Sequence, residues 1–173
     1  MSYLSRLKNI KAFVFDVDGV FTDGSVYLLP DKSMSRVMSV LDGYAIVQAI
    51  KKDFVIGIIT GGNDPMVKNR MEYLGITDYY AKSSHKISDY QDFKTKYNLK
   101  DSEILMMGDD IPDIGMMKLA EISACPANAV QEVKAIADYI SPVFGGKGAV
   151  RDVIEQVMKV QGKWNLDEET KSA

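Results

Sequence analysis

The stretch Ala12-Phe13-Val14-Phe15-Asp16-Val17-Asp18-Gly19 (residues 12–19) decides the fold. A short apolar run ends abruptly in acidic residues and glycine, the pattern of a buried strand whose carboxyl end opens into a polar loop. The pattern returns twice: Phe54 to Ile59 ends in Thr60-Gly61-Gly62, and Glu103 to Met107 ends in Gly108-Asp109-Asp110. Between these runs lies helical spacing. Gly43 to Lys52 carries it at Ala45, Ile46, Ala49 and Ile50, Asp64-Pro65 begins a helix through Leu74, and 87–97 reads as another. Residues 78–81 and 122–125 read as short strands, 129–137 as helical, Tyr139-Ile140 as strand-like, and Ala149 to Val160 as a last helix. Ser25 to Leu29 and Met34 to Val40 flank the turn signal Pro30-Asp31-Lys32 and predict a hairpin. Strands alternating with helices predict an α/β fold: βαβ units and a parallel sheet covered on both faces. Ligands of such sheets sit beyond the carboxyl ends of the strands, so segments 16–18, 60–61 and 109–113 are expected on one rim.

The 173 residues are 46% apolar, with 21 Lys+Arg against 24 Asp+Glu and a formal charge of −3. One domain with a substantial core fits this profile. It carries no general basic field, which argues against duplex nucleic acid or an anionic membrane surface as partner, and an anionic ligand needs a few local cations. A single cysteine, Cys125, leaves no internal disulfide and suits a reducing compartment, so a cytoplasmic protein is expected. Arg6, Lys8 and Lys11 interrupt Leu4, Leu7 and Ile10, which is not a signal-peptide core, and no apolar run nears the roughly 20 residues that span a bilayer. One domain over 1–164 is expected, followed by a polar tail over 165–173. Trp164 either docks or remains a partly exposed aromatic.

Asp16 and Asp18 stand two residues apart, a spacing that in extended backbone puts two carboxylates on one side. Asp109, Asp110 and Asp113 arrive from another strand end. Like charges packed this closely repel, and a hard divalent cation such as Mg²⁺ resolves the conflict, often together with a substrate phosphate. Thr60-Gly61 offers a hydroxyl and an unobstructed backbone N–H just before a helix, and Lys86 adds a point charge near the start of another.

In this order, Asp16-Val17-Asp18-Gly19-Val20, Thr60-Gly61, Lys86 and Gly108-Asp109-Asp110-Ile111-Pro112-Asp113, the sequence resembles the haloacid dehalogenase superfamily of phosphohydrolases over nearly its whole length. FDVDGVFTDGSV (15–26), Asp42-Gly43, Arg70-x-x-x-Leu74-Gly75-Ile76 and Gly145-Gly146-Lys147-Gly148-Ala149-Val150-Arg151 look like its capless subgroup acting on 3-deoxy-D-manno-octulosonate 8-phosphate, a precursor step of lipopolysaccharide biosynthesis. The resemblance implies a Rossmann-like three-layer αβα sandwich without a cap domain. It also implies hydrolysis through an aspartyl-phosphate: Asp16 attacks phosphorus, Asp18 is general acid and then base, and Thr60 and Lys86 assist. Mg²⁺ is then held by Asp16, the Asp18 carbonyl and Asp109, with Asp110 and Asp113 behind them orienting Lys86. Substrate contacts carry over to Asp18, Ser39, Val40, Leu41, Asp42, Gly43, Val47, Thr60, Gly61, Arg70 and Lys86.

One position departs from the pattern. The family often has Thr-Gly-Arg, with the arginine available to the substrate carboxylate, where this chain has Thr60-Gly61-Gly62. Arg70 or a group from another subunit then has to compensate. This departure keeps open a phosphatase for a nine-carbon 2-keto sugar acid 9-phosphate. A further alternative is a non-catalytic receiver or oligomer-building module, although a carboxylate at Asp18 favours hydrolysis of a phosphoaspartate over its persistence. His85 reads as a surface residue and the ten methionines as core filling. Gly145 to Gly148 is either a flexible turn or part of a closed site. Without a cap, selectivity has to come from elsewhere, and the resemblance implies that the 25–40 hairpins assemble a homotetramer.

Overall fold

Six parallel strands form the central sheet, and a small antiparallel pair stands apart from it. The computed structural model describes residues 2–164, so the predicted tail 165–173 lies outside the described residues. In chain order the elements are α1 (Tyr3–Leu7), β1 (Ala12–Phe15), β2 (Tyr27–Leu28), β3 (Met34–Ser35), α2 (Val40–Lys51), β4 (Val55–Ile59), α3 (Pro65–Tyr73) and β5 (Asp78–Tyr80). Then follow α4 (Lys86–Lys96), β6 (Ile104–Met107), α5 (Ile114–Met117), β7 (Ile122–Cys125), α6 (Gln131–Lys134), β8 (Tyr139–Ile140) and α7 (Ala149–Val160). The strands lie in the order β5-β4-β1-β6-β7-β8. From β1 the chain builds outward through β4 and β5, then returns to build the other half from β6. That reversal makes a switch point at the carboxyl ends of β1 and β6.

Alternation along the strands explains the three layers. Phe13 and Phe15 of β1 point into one core with Leu7, Ala45, Val67 and Val153, from α1, α2, α3 and α7. Ala12 and Val14 point the other way, toward Tyr90 and Phe93 of α4, Met116 and Met117 of α5, and Val133 of α6. With both faces covered, the central strands β1, β4 and β6 carry no polar side chain until the sheet ends, which is why they read as continuous apolar runs. The ladders continue one residue past β1, β4 and β6. Asp16 N donates to Met107 O at 3.2 Å, Thr60 N to Tyr80 O at 2.9 Å and Gly108 N to Ala124 O at 3.2 Å.

Two elements are shorter than their patterns predict. The hairpin arms expected over 25–29 and 34–40 pair only at Tyr27↔Ser35 and Leu28↔Met34. Ser39 Oγ accepts from Leu41 N and so starts α2 at Val40, while Arg36 turns inward toward Asp18. The helix predicted over 129–137 keeps four residues, because Asp138 is drawn away to accept from Ser123 N and Oγ and from Arg6. Trp164 docks: its ring meets Tyr44 edge-on at 6.0 Å, and the Arg151 guanidinium lies over both rings.

Candidate active site

Asp16, Asp18, Thr60, Gly61, Lys86, Asp109, Asp110 and Asp113 line one cavity of about 550 Å³ at the carboxyl ends of β1, β4 and β6, as the strand-end reading expects. Gly24, Gly62, Ser83, Ser84 and Pro112 complete its wall. Lys86 opens α4 and bridges two carboxylates, with Nζ 3.1 Å from Asp16 Oδ2 and 2.8 Å from Asp113 Oδ1. The other oxygen of Asp113 accepts from Asp109 N at 3.0 Å and Asp110 N at 3.3 Å. Both oxygens of Asp113 are therefore occupied in holding the loop and the lysine. Asp110 caps Ile111 N with its side chain, and among the described residues the ion-pair partners of Lys86 are Asp16 and Asp113.

Asp16 and Asp109 are different. Asp16 Oδ1 and Asp109 Oδ1 are buried and have no hydrogen-bond partner, an arrangement that is costly without a cation. One oxygen from each of Asp16, Asp109 and Asp113 lies within 4.8 Å of the others. All-oxygen donors of this kind suit a hard divalent cation, and the two orphaned oxygens mark Asp16 and Asp109 as the side chains free to bind it. Gly19 makes the approach possible. At φ +80° it turns β1 away, and a Cβ there would fall 1.9 Å from Asp109 Oδ2.

The glycine-rich segment braces this loop rather than hanging free. Gly145 N donates to Asn128 Oδ1 at 2.6 Å, Asn128 Nδ2 donates to Gly19 O at 3.1 Å, and a Cβ on Gly145 would lie 1.9 Å from Gly19 O. Neither the bracing contact nor Asn128 is foreshadowed by any spacing in the sequence. Arg36 was also missed. It forks onto Asp18, Nε to Oδ1 at 2.6 Å and Nη2 to Oδ2 at 3.2 Å.

The remaining expected substrate contacts lie outside this cavity. Ser39 caps α2, and Val40 and Leu41 are exposed. Val47 packs against the core, and Asp42 is buried where its Oδ1 accepts Arg151 N at 2.9 Å. Burial pushes the Asp42 carboxyl up to about 6, against backbone N–H groups that pull it down. Arg70 lines a second cavity of about 510 Å³ with Arg36, Asp64 and Met34, and Gly43 leaves room for it: a Cβ at 43 would sit 2.7 Å from Arg70 Nη2. His85 is exposed at the start of α4 and caps nothing.

Burial and the neighbouring carboxylates push Asp109 up to about 8, and burial with Asp113 pushes Asp16 upward despite Lys86. The Lys86 ammonium, though penalised by burial, is held above its ordinary value by Asp16 and Asp113. Between about pH 4 and 8 the metal-free fold thus binds more protons at Asp16 and Asp109 than the unfolded chain, so its stability falls as pH rises, by up to about 1.4 kcal/mol per pH unit for each such group. A divalent cation displaces those protons and reverses the trend. Thermal melts from pH 5 to 8 are expected to show Tm falling with pH in EDTA and a cation-induced rise that grows with pH; a metal-free Tm that climbs across this range contradicts the assignment.

Residues 72–154 match the family model described as haloacid dehalogenase-like hydrolase. The 3-deoxy-D-manno-octulosonate 8-phosphate phosphatase KdsC of Escherichia coli K12 is 34% identical over 165 residues, covering 95% of this chain and 87% of that protein. The crystal structure of the phosphatase of the same name from Yersinia pestis superposes with a TM-score of 0.92 at 30% identity, covering 98% of this chain and 90% of that one. The Moraxella catarrhalis phosphatase, solved in complex with a magnesium ion, a phosphate ion and a KDO molecule, gives a TM-score of 0.90 at 29% identity, covering 93% and 92%.

Proposed function

Because this chain belongs to the haloacid dehalogenase-like hydrolases, we propose that it hydrolyses 3-deoxy-D-manno-octulosonate 8-phosphate to the free sugar acid and phosphate with Mg²⁺ as cofactor. The observation that carries this reading is the pair of orphaned oxygens on Asp16 and Asp109 beside a lysine-bridged Asp113, in a cavity at the switch point of the sheet. Asp16 and Asp109, with the Asp18 carbonyl, would hold Mg²⁺; when bound it draws nucleophile and phosphate together and neutralises charge in the in-line transfer.

The chain's own residues account for the rest. A carboxylate oxygen of Asp16 attacks phosphorus, and the bond from phosphorus to the sugar oxygen breaks as Asp18 gives that oxygen a proton. Water then attacks the phosphorus of the aspartyl-phosphate, Asp18 takes its proton, and Asp16 is released. Lys86 screens the nucleophile from the anion it attacks, and Asp113 fixes the lysine. Thr60, buried with its Oγ1 accepting Gly62 N at 3.1 Å, shapes the Gly61-Gly62 turn in the wall of the cavity. Arg70 is offered to the leaving sugar acid, and Gly43 makes room for its guanidinium. A phosphate-release assay over eight- and nine-carbon sugar-acid phosphates, with and without Mg²⁺, tests this. Metal-dependent release with the eight-carbon substrate preferred is expected, and efficient hydrolysis only of another phosphosugar overturns it.

The 1–164 domain is read as capless, with the hairpin as its insert and 165–173 as a tail, in a cytoplasmic enzyme whose one cysteine is buried and unpaired. No helix among the described residues is long and apolar enough to cross a membrane. We infer a homotetramer built through the hairpin. Tyr27, Leu28, Met34, Val37 and Val40 are 49–79% exposed, a run of apolar surface that a lone subunit rarely presents. Light scattering is expected to give four times the chain mass, and Leu28→Asp to give smaller species; a fully active wild-type monomer refutes the assembly.

A further inference from the structure

Arg36 directly follows β3, outside the central sheet whose strand ends carry the reacting groups, yet its side chain is only 9% exposed. Its guanidinium engages both oxygens of Asp18 and extends Nη1 to Asp64 Oδ2 at 3.1 Å. Asp64 is itself fixed, with Oδ1 accepting Met66 N at 2.9 Å at the start of α3. This planar fork is the geometry in which arginine recognises a carboxylate.

Three observations make the fork more than a strut for the hairpin. Among the described residues lining the catalytic cavity Lys86 is the one cation, and it is committed to Asp16 and Asp113. A substrate carrying a second anion besides its phosphate needs another cation. Next, Arg36 stands where the catalytic cavity meets the adjoining 510 Å³ cavity: it touches Asp18 in the first and lines the second with Arg70. Finally, Gly62 places no side chain beside Asp18, where a Cβ would already be in van der Waals contact at 3.8 Å from Asp18 Oδ2. A carbon chain extending from a phosphate at Asp16 past Asp18 would enter the cavity that Arg36 and Arg70 line.

We propose that Arg36 is a specificity residue whose guanidinium exchanges the Asp18 carboxylate for the carboxylate of the sugar-acid substrate. One forked ion pair replaces another, so few hydrogen bonds are lost, and Asp64 keeps the guanidinium in place throughout. The exchange also frees the Asp18 carboxylate to take up a proton from solvent and deliver it to the leaving oxygen. A substrate without a carboxylate leaves the resting pair in competition with catalysis, so it is discriminated against twice. This inference rests on the sugar-acid phosphatase reading.

The test compares 3-deoxy-D-manno-octulosonate 8-phosphate with p-nitrophenyl phosphate, a monoester without a carboxylate, for wild type, Arg36→Gln and Arg36→Lys, all checked by thermal melts. The selectivity ratio between the two substrates is expected to fall about 10- to 100-fold in Arg36→Gln, chiefly through KM for the sugar acid, with part recovered in Arg36→Lys. If the glutamine variant does not fold, the lysine variant, which keeps the charge but loses the fork, is expected to show a smaller loss of the same ratio. Equal losses on both substrates, or an unchanged ratio, overturn the role of Arg36 while leaving the activity intact. A wild type with no preference for the sugar-acid phosphate overturns the activity reading and the inference with it.

Discussion

Asp16→Asn is expected to lower turnover by at least about four orders of magnitude while leaving the protein folded. An amide oxygen of nearly the same shape occupies the same place, but it lacks the charge to attack phosphorus. The fold has reason to tolerate the change. Asp16 is buried, its carboxyl is pushed upward by that burial and by Asp113, and one of its oxygens has no partner. A neutral isostere relieves this strain, so the metal-free variant should melt no lower than wild type at pH 8. Phosphate release and intact-protein mass together decide the matter: turnover within tenfold of wild type, or a phosphorylated variant, would show that Asp16 is not the nucleophile.

Lys86→Met separates charge from packing. Methionine replaces much of the lysine stem, which is 90% enclosed, but removes the ammonium from between Asp16 and Asp113. With the positive partner gone, the nucleophile and the phosphate face each other unscreened, and kcat is expected to fall about 10²- to 10³-fold. Two linked effects have the opposite sign to simple damage. Mg²⁺ should bind more tightly at pH 8, because the ion no longer competes with an ammonium for Asp16. Metal-free stability should fall more steeply with rising pH, since the buried carboxylates keep their protons to higher pH and lose more when forced to ionise. Titration calorimetry and melts in EDTA read these directly. A kcat equal to that of wild type would reduce Lys86 to a structural ion pair.

Much of this centre is legible in the chain because it is tied to strand ends. Asp16, Thr60 and Asp109 each stand one or two residues beyond an apolar run, and a parallel sheet has no choice but to deliver them to one rim. Lys86 and Asp113 follow, one the first residue of α4 and the other the residue just before α5, both helices leaving that rim. What the sequence could not yield depends on loops meeting across space. Arg36 reaches Asp18 from a hairpin whose paired length is only two residues per arm, and neither periodicity nor spacing foretells where such a loop folds back. Asn128 joins Gly19 to Gly145 through contacts between positions 109 and 17 residues apart. Asp42 shows the converse. Its place beside Gly43 resembles a substrate loop, yet its carboxylate receives Arg151 N at the start of α7, a demand set by helix packing.

The hydrogen-bond ladder that runs one residue past β1, β4 and β6 bears on how such a molecule can diversify. Asp16, Thr60 and Gly108 are held by backbone partners in the neighbouring strand or just beyond it, independent of residues 25–36. Insertions, deletions or substitutions in the hairpin can therefore accumulate without displacing the nucleophile or the strand ends beside it. Chemistry and substrate choice become separately heritable, and Arg36 stands on the variable side of that divide. A lineage could retune which acid it accepts by redrawing a dozen surface residues while inheriting the phosphoryl-transfer machinery unchanged.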